Sequence, residues 1–328
     1  MNLIQVEHLT KRYGEHPAVE DLTFTLQPGK VYGFLGPNGA GKSTTMNIMT
    51  GTLAATDGTV SVDGHDIFSD AEAAKRRIGY LPENPPLYMD MTPREYLTFI
   101  AEAKGIAKAD KVRQVTRVMG QTKITEMQDR LISQLSKGYR QRVGIAQAIL
   151  GDPDVILLDE PTVGLDPQQL TEIRALIRDL GKRKTVVFSS HILAEISAVC
   201  DEVLILSNGR LVAFDTMPHL RERYGAGRTA MTLRVKADGH PDDTEKRLTE
   251  VLSAFPQKQI TRANGVFTCR ISADTFSDDL CEEISRALTQ AGFVILQMSV
   301  KEVDLEDVFL LLTGKRTGNT PSEEEQAQ

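Results

Sequence analysis

The chain has only three cysteines in 328 residues, and Cys200, Cys269 and Cys281 stand far apart with no Cys-x-x-Cys pair. Such spacing offers neither a zinc site nor a disulfide framework and fits a reducing compartment. Long apolar runs are missing too. Nothing approaches the roughly 20 consecutive apolar residues that span a bilayer, and the opening MNLIQVEHLTKRYGEH lacks the core of a secretory signal. Any work at a membrane is therefore expected to be peripheral. Positive charge is in deficit: 38 Lys and Arg against 45 Asp and Glu give a net charge of -7. No overall basic field draws nucleic acid or anionic lipid. What is present is ordinary globular composition, 41% hydrophobic and 25% charged, in a chain long enough for two domains of roughly 100–230 residues.

Residues 2–35 alternate apolar and polar positions around Pro28-Gly29, which predicts several short strands, the last being the almost wholly apolar VYGFL at 31–35. A glycine-rich turn then runs into a helix that stops near Gly51. From Pro93 to about Leu150 the spacing is helical. Strands and helices then alternate: strands at 155–158, 185–188 and 202–206, a helix from Pro167 to about Leu180, and another after His191. Asn208-Gly209 between apolar runs predicts a hairpin. Alternation of this kind argues for a largely parallel sheet covered by helices.

Near Gly225-Ala-Gly227 the character changes. Strand, helix, strand, an Asn264-Gly265 turn, strand, helix, strand and a short final helix follow between Ala230 and Leu312. The order β-α-β-β-α-β is the ferredoxin-like plan, expected as a separate α+β domain over residues 228–314. The polar, acidic tail at 315–328 is expected to be disordered.

Chemistry concentrates in a few stretches. GPNGAGKS at 36–43 fits G-x-x-x-x-G-K-[ST] and lies between a buried strand and a helix, as that motif must. Glycines let successive backbone N–H groups curl around phosphate oxygens at a helix N-terminus; Lys42 then reaches the β- and γ-phosphates and Ser43 binds Mg²⁺. VILLDE at 155–160 is an apolar strand ending in two carboxylates. Beside a phosphate loop they divide naturally: Asp159 holds the Mg²⁺ hydration shell and Glu160 polarises the attacking water. By itself, Ser136 in LSKGY at 135–139 is no more than a helix N-cap, although a helix start with Ser and Gly also suits an anion.

Taken together, the phosphate loop at 36–44, LSKGY, LLDEP at 157–161, GLD at 164–166 and SSH at 189–191 stand in the order and approximate spacing of the ATP-binding subunits of ABC transporters, which residues 2–220 resemble. The resemblance implies an α/β fold, a P-loop ABC-type ATPase over residues 1–224 with an antiparallel β subdomain and a helical subdomain at about 90–150. It implies ATP and Mg²⁺ as ligands, with Gly36, Asn38, Gly39, Gly41, Lys42, Ser43 and Thr44 around the phosphates. Tyr13 would stack on adenine. Ser136 and Gly138 would contact the γ-phosphate across a dimer that Asp166 bridges. Glu160 would be the catalytic base, with Lys42 and His191 holding the γ-phosphate and attacking water. YLPENPPLY at 80–88 takes the place of the Q-loop, with Glu83 where most members carry Gln; its carboxylate can still ligate Mg²⁺ or its water. Lys137 and Tyr139 depart from the usual signature.

In detail the chain is similar to the ABC-2 exporter ATPases, of the gliding-motility and multidrug kind, through IGYLPENPPLY, MTPREYLTFIAEAKGI and EVDLEDVFLLLTG. That implies a separate polytopic membrane permease as partner, paired ATPase subunits sandwiching two ATP, a peripheral place on the cytoplasmic face of the membrane, and no nucleic acid. The alternative is a soluble ABC ATPase acting on ribosomes or nucleic acid. Against it stand one motif set rather than two and the roughly 90 residues between phosphate loop and signature, too few for a long coiled coil. The acidic charge also gives no counterion-release driving force. A P-loop kinase would leave the signature and His191 without roles.

Overall fold

The chain divides into two compact units, Met1–Thr216 and Met217–Gln328. The computed structural model describes residues 3–225, 229–237, 241–253, 258–263, 265–273, 276–302 and 305–313. In the first unit the elements are β1 (Ile4–Tyr13), β2 (His16–Leu26), β3 (Val31–Leu35), α1 (Lys42–Met49), β4 (Asp57–Val62), β5 (His65–Asp66), α2 (Ala71–Arg76), β6 (Ile78–Leu81), α3 (Pro93–Ala103), α4 (Lys108–Gln121), α5 (Lys137–Ile149), β7 (Val155–Leu158), α6 (Pro167–Gly181), β8 (Thr185–Ser190), α7 (Leu193–Val199), β9 (Glu202–Ser207) and β10 (Arg210–Asp215).

Six strands form a sheet in the order β10-β9-β3-β8-β7-β6. All neighbours are parallel except β9 and β10. Strands β3, β7 and β8 are buried at every residue; a parallel sheet covered on both faces calls for largely apolar strands, and the polar Thr185, Ser189 and Ser190 of β8 lie at its two ends. The β9–β10 hairpin turns on Asn208 and Gly209, both at positive φ (50° and 76°), the backbone that a two-residue hairpin turn of this kind requires.

The N-terminal region differs from expectation in one respect. Instead of several short strands before β3 there are two long ones, β1 and β2, of 10 and 11 residues. With β4 and β5 they form an antiparallel sheet, order β2-β1-β4-β5. The register slips between Val6 and Leu9, and His8 and Asp21 both sit at φ 51°. Bulges here bend the strands without ending them, so breaks in the alternation resemble turns in the sequence. Phe24 of β2 meets Phe34 of β3 edge-on with ring centroids 5.7 Å apart, packing this sheet against the parallel one.

Helices α3, α4 and α5 intervene between β6 and β7. Thr92 and Glu95 form a reciprocal capping box at the start of α3, with Pro93 in its first turn. Asp166 accepts the Gln169 N–H at 2.8 Å and Pro167 opens α6. Each is a local signal that sets a helix start independently of packing. Helix α5 lies tight on β6: a Cβ at Gly144 would come within 2.5 Å of Leu81 Cδ1, and Gln147 Nε2 donates to the Tyr80 carbonyl at 2.6 Å.

The second unit comprises α8 (Met217–Gly225), β11 (Thr229–Lys236), α9 (Pro241–Val251), β12 (Lys258–Ala263), β13 (Val266–Ala273), α10 (Asp278–Gln290), β14 (Val294–Glu302) and α11 (Leu305–Thr313). Its antiparallel sheet has the order β12-β13-β11-β14, the ferredoxin-like arrangement. Met231, Leu233, Phe267, Cys269, Leu248 and Leu288 fill its core. Helix α8 packs on α11, and Met217 and Leu220 of α8 and Val308 of α11 are buried. For that reason the structural division falls before α8, while the change in composition falls after it. The tail at 315–328 lies outside the described residues. No described helix is long and apolar enough to cross a membrane.

Candidate nucleotide site

Strand β3 ends at Leu35, and the chain turns through residues 36–41 into α1. Gly39 and Gly41 take φ of 78° and 98°, a region that side chains strongly disfavour. Gly41 also has no room for one, since a Cβ would lie 2.7 Å from the Ala18 carbonyl oxygen. No side chain caps the start of α1, so the N–H groups of its first turn remain available to an anion. They face a cavity of about 380 Å³ lined by residues 38–44 together with Glu83, Glu160, Val163 and His191.

Lys42 is buried and donates to the Gly36 carbonyl at 2.8 Å, with its Nζ 3.4 Å from Glu160 Oε1. His191 Nδ1 approaches the same carboxylate, 3.2 Å from Glu160 Oε2 and 3.4 Å from Oε1. Glu160 itself sits at φ 46°, a strained backbone for a residue with a side chain. Its N–H donates to Ser189 Oγ at 2.8 Å. The Ser189 hydroxyl donates in turn to Asp159 Oδ1 at 2.6 Å, and that same oxygen accepts from Ser43 Oγ at 3.1 Å. Ser43, Asp159, Ser189 and Glu160 thus form one chain of hydrogen bonds across β7, β8 and the start of α1.

Ser136, Gly138 and Asp166 do not join this group. They line a separate concavity of about 290 Å³ with Lys123, Glu126, Tyr139 and Arg142 among its walls. Among the described residues, the segment after β7 alone lines both places, through Val163 at the first and Asp166 at the second. Tyr139, one of the signature departures, donates its phenol to Glu126 Oε1 at 3.0 Å, and that bond raises its pKa above the ordinary tyrosine value. Its ring also lies 5.9 Å from the Arg142 guanidinium, and Arg142 pairs with Glu172 of α6. The unusual tyrosine therefore braces the first turn of α5 against neighbouring elements. Tyr13 lines neither concavity; it is 54% exposed, with Lys11 Nζ 5.3 Å over its ring.

Ser189 is the residue that sequence reasoning passed over. The SSH triplet drew attention to its histidine, yet Ser189 is fully buried and joins Asp159 to Glu160. Strand β8 runs beside β7, so a hydroxyl at its end was the available signal.

Residues 19–163 match the ABC transporter family. The chain is 31% identical over 314 residues to the linearmycin resistance ATP-binding protein LnrL of Bacillus subtilis (strain 168), an alignment covering 95% of this chain and 99% of that protein. It is 39% identical over 223 residues to the bacitracin transport ATP-binding protein BcrA of Bacillus licheniformis, covering 67% and 72% respectively. A solved structure described as the ATP binding subunit of an ABC transporter superposes with a TM-score of 0.62 at 32% identity, covering 68% of this chain and 93% of its own. With that ancestry, the phosphate loop and the paired carboxylates have one reading: the chain belongs to the ATP-binding subunits of ABC transporters, the nucleotide-hydrolysing ATPases that power transport.

Proposed function

We propose that the cavity at the start of α1 holds the phosphates of ATP and that Glu160 is the base for its hydrolysis. The observation that carries this reading is one buried carboxylate within reach of both Lys42, at 3.4 Å, and His191, at 3.2 Å. Lys42 and the first-turn N–H groups of α1 bind and orient the β- and γ-phosphates. Glu160 orients water and accepts its proton as the water oxygen attacks γ-phosphorus and ADP leaves. His191 keeps the carboxylate and the attacking water in line.

The donor set also suits Mg²⁺, which prefers hard oxygen ligands and shares its shell with water and phosphate. Ser43 Oγ and Asp159 Oδ1 converge at 3.1 Å, and Glu83 faces the same cavity. Ser43, Asp159 and Glu83 would hold the ion directly or through water. Bound there, it would neutralise charge building on the phosphate oxygens.

Because Ser136, Gly138 and Asp166 stand apart from Lys42 and Glu160, we assign them to the nucleotide of a second ATPase subunit, so that two subunits enclose two ATP molecules. The partner that receives the work is a separate polytopic permease of the ABC-2 type, and the protein acts on the cytoplasmic face of its membrane. Segment 80–88 is placed to couple the two, since α5 grips it through Gly144 and Gln147. The unit Met217–Gln328 serves as an accessory regulatory or dimer-stabilising module. The relatives with transport and resistance names support this reading over a role on ribosomes or nucleic acid.

The deciding experiment is Glu160→Gln in the full chain. It should bind ATP normally and elute as an ATP-dependent dimer, with kcat reduced about 10²- to 10⁴-fold. Wild-type turnover would remove Glu160 from its role.

A further inference from the structure

Glu195 is a buried carboxylate that the mechanism above does not use. It lies in the first turn of α7 and is 3% exposed. Among the described residues its hydrogen-bond partners are hydroxyls rather than cations. Thr162 Oγ1 donates to Glu195 Oε2 at 2.6 Å and Ser190 Oγ donates to the same oxygen at 2.7 Å. The Ser190 oxygen also accepts the Ile192 N–H at 3.0 Å.

The two hydroxyls belong to different segments, one after β7 and one at the last residue of β8. Thr162 follows Glu160 by two residues after β7, and Ser190 directly precedes His191 at the end of β8. Both segments lie at the same end of neighbouring parallel strands, and they carry the two side chains that meet at 3.2 Å. A carboxylate withdrawn from water is costly unless hydrogen-bonded, and short bonds to an ionised acceptor are the strong kind. Pulling either segment away would leave that charge less well satisfied. Glu160 needs such restraint, because its backbone at φ 46° persists only where surroundings hold it.

We propose that Glu195 is a positioning residue for ATP hydrolysis: through Thr162 and Ser190 it clamps the Glu160 loop to the His191 loop and so sets the alignment of base and histidine. This rests on the roles given to Glu160 and His191 above. Ser189 supplies a second tie, between Asp159 and the Glu160 N–H. The Glu195 clamp differs in lying outside the phosphate cavity, so it acts on geometry without touching substrate.

The test compares kcat, KM for ATP and melting midpoint for Glu195→Gln, Thr162→Val and Thr162→Ser in the full chain, with Glu160→Gln alongside. Glu195→Gln and Thr162→Val should lose about 10- to 100-fold in kcat per folded molecule while KM stays within about twofold, since misplacing a reactive group costs rate rather than ground-state binding. Thr162→Ser, which keeps the hydroxyl, should retain kcat within about threefold. Wild-type kcat per folded molecule in both Glu195→Gln and Thr162→Val overturns the clamp, as does equal loss in Thr162→Ser and Thr162→Val. If Glu195→Gln does not fold, the Thr162 pair decides alone. An inactive Glu160→Gln beside an active Glu195→Gln and Thr162→Val sinks the clamp only; wild-type turnover in Glu160→Gln sinks the catalytic reading and the clamp together.

Discussion

Lys42 and Glu160 form a buried ion pair at 3.4 Å, with the ammonium also donating to the Gly36 carbonyl. The same cation is the one assigned to the β- and γ-phosphates. Phosphate oxygens entering the cavity would compete with Glu160 for Lys42, linking nucleotide binding to the freedom of the base.

Lys42→Ala should therefore weaken ATP binding about 10- to 100-fold, the range expected for losing a charge-assisted hydrogen bond in a buried site. Titration with a fluorescent ATP analogue checks it. Affinity equal to that of the unaltered chain would contradict the placement of Lys42 at the phosphates.

What could be read in the sequence follows how local each determinant is. The loop at residues 36–43 is contiguous, and its glycines, lysine and serine each carry a mechanism at short range. The cavity that it borders is also lined by Glu160 and His191. The cap at Asp166 and the hairpin at Asn208-Gly209 are equally local. By contrast, Glu195 and Thr162 are 33 residues apart and meet only because β7 pairs with β8. No spacing rule reveals such a contact. The length of β1 and β2 was hidden for another reason, since the bulges at His8 and Asp21 interrupt the alternation as a turn would. The packing of α8 on α11 joins segments roughly 90 residues apart, beyond what a change in composition can locate.

Gly79 of β6 tests the packing that places the segment at 80–88. A Cβ there would lie 2.0 Å from the Ala148 carbonyl oxygen of α5, a backbone atom that cannot move without moving the helix. Gly79→Ala should destabilise the first unit by about 3 kcal/mol, lowering its melting midpoint by about 6–12 °C. Differential scanning calorimetry reads this directly. An unchanged midpoint would mean that α5 yields without loss, and the tight α5–β6 contact would not matter for stability.

Gly138 is a milder case with a functional consequence. A Cβ would meet the Gln169 amide at 2.6 Å, the far end of a flexible side chain, so Gly138→Ala should fold with a near-normal midpoint. The added methyl stands on the surface assigned to the second subunit's ATP. Expected are unchanged ATP affinity for the single chain and hydrolysis reduced about tenfold, from loss of close backbone approach to phosphate. Normal hydrolysis would separate Gly138 from the ATP sandwich.

Glu83 allows the metal reading to be tested apart from the phosphate loop. It is exposed at the mouth of the cavity, on the segment that follows β6, and the Asp159 N–H bonding to the Leu81 carbonyl at 2.8 Å fixes where that segment departs. A carboxylate would bring a full negative charge toward the proposed Mg²⁺ site, whereas an amide would offer only a dipole. Glu83→Gln should keep maximal ATPase within about twofold but raise the Mg²⁺ concentration for half-maximal activity about threefold, because fewer anionic ligands weaken a hard-cation site. Glu83→Ala removes the oxygen altogether and should raise it further while lowering the permease-stimulated rate. The measurement is a Mg²⁺ titration of ATPase activity at fixed ATP, with and without the permease in membranes. If both variants titrate as the unaltered chain does, Glu83 is not a ligand. If permease stimulation also survives in Glu83→Ala, the proline-rich segment is a passive connection between β6 and α3.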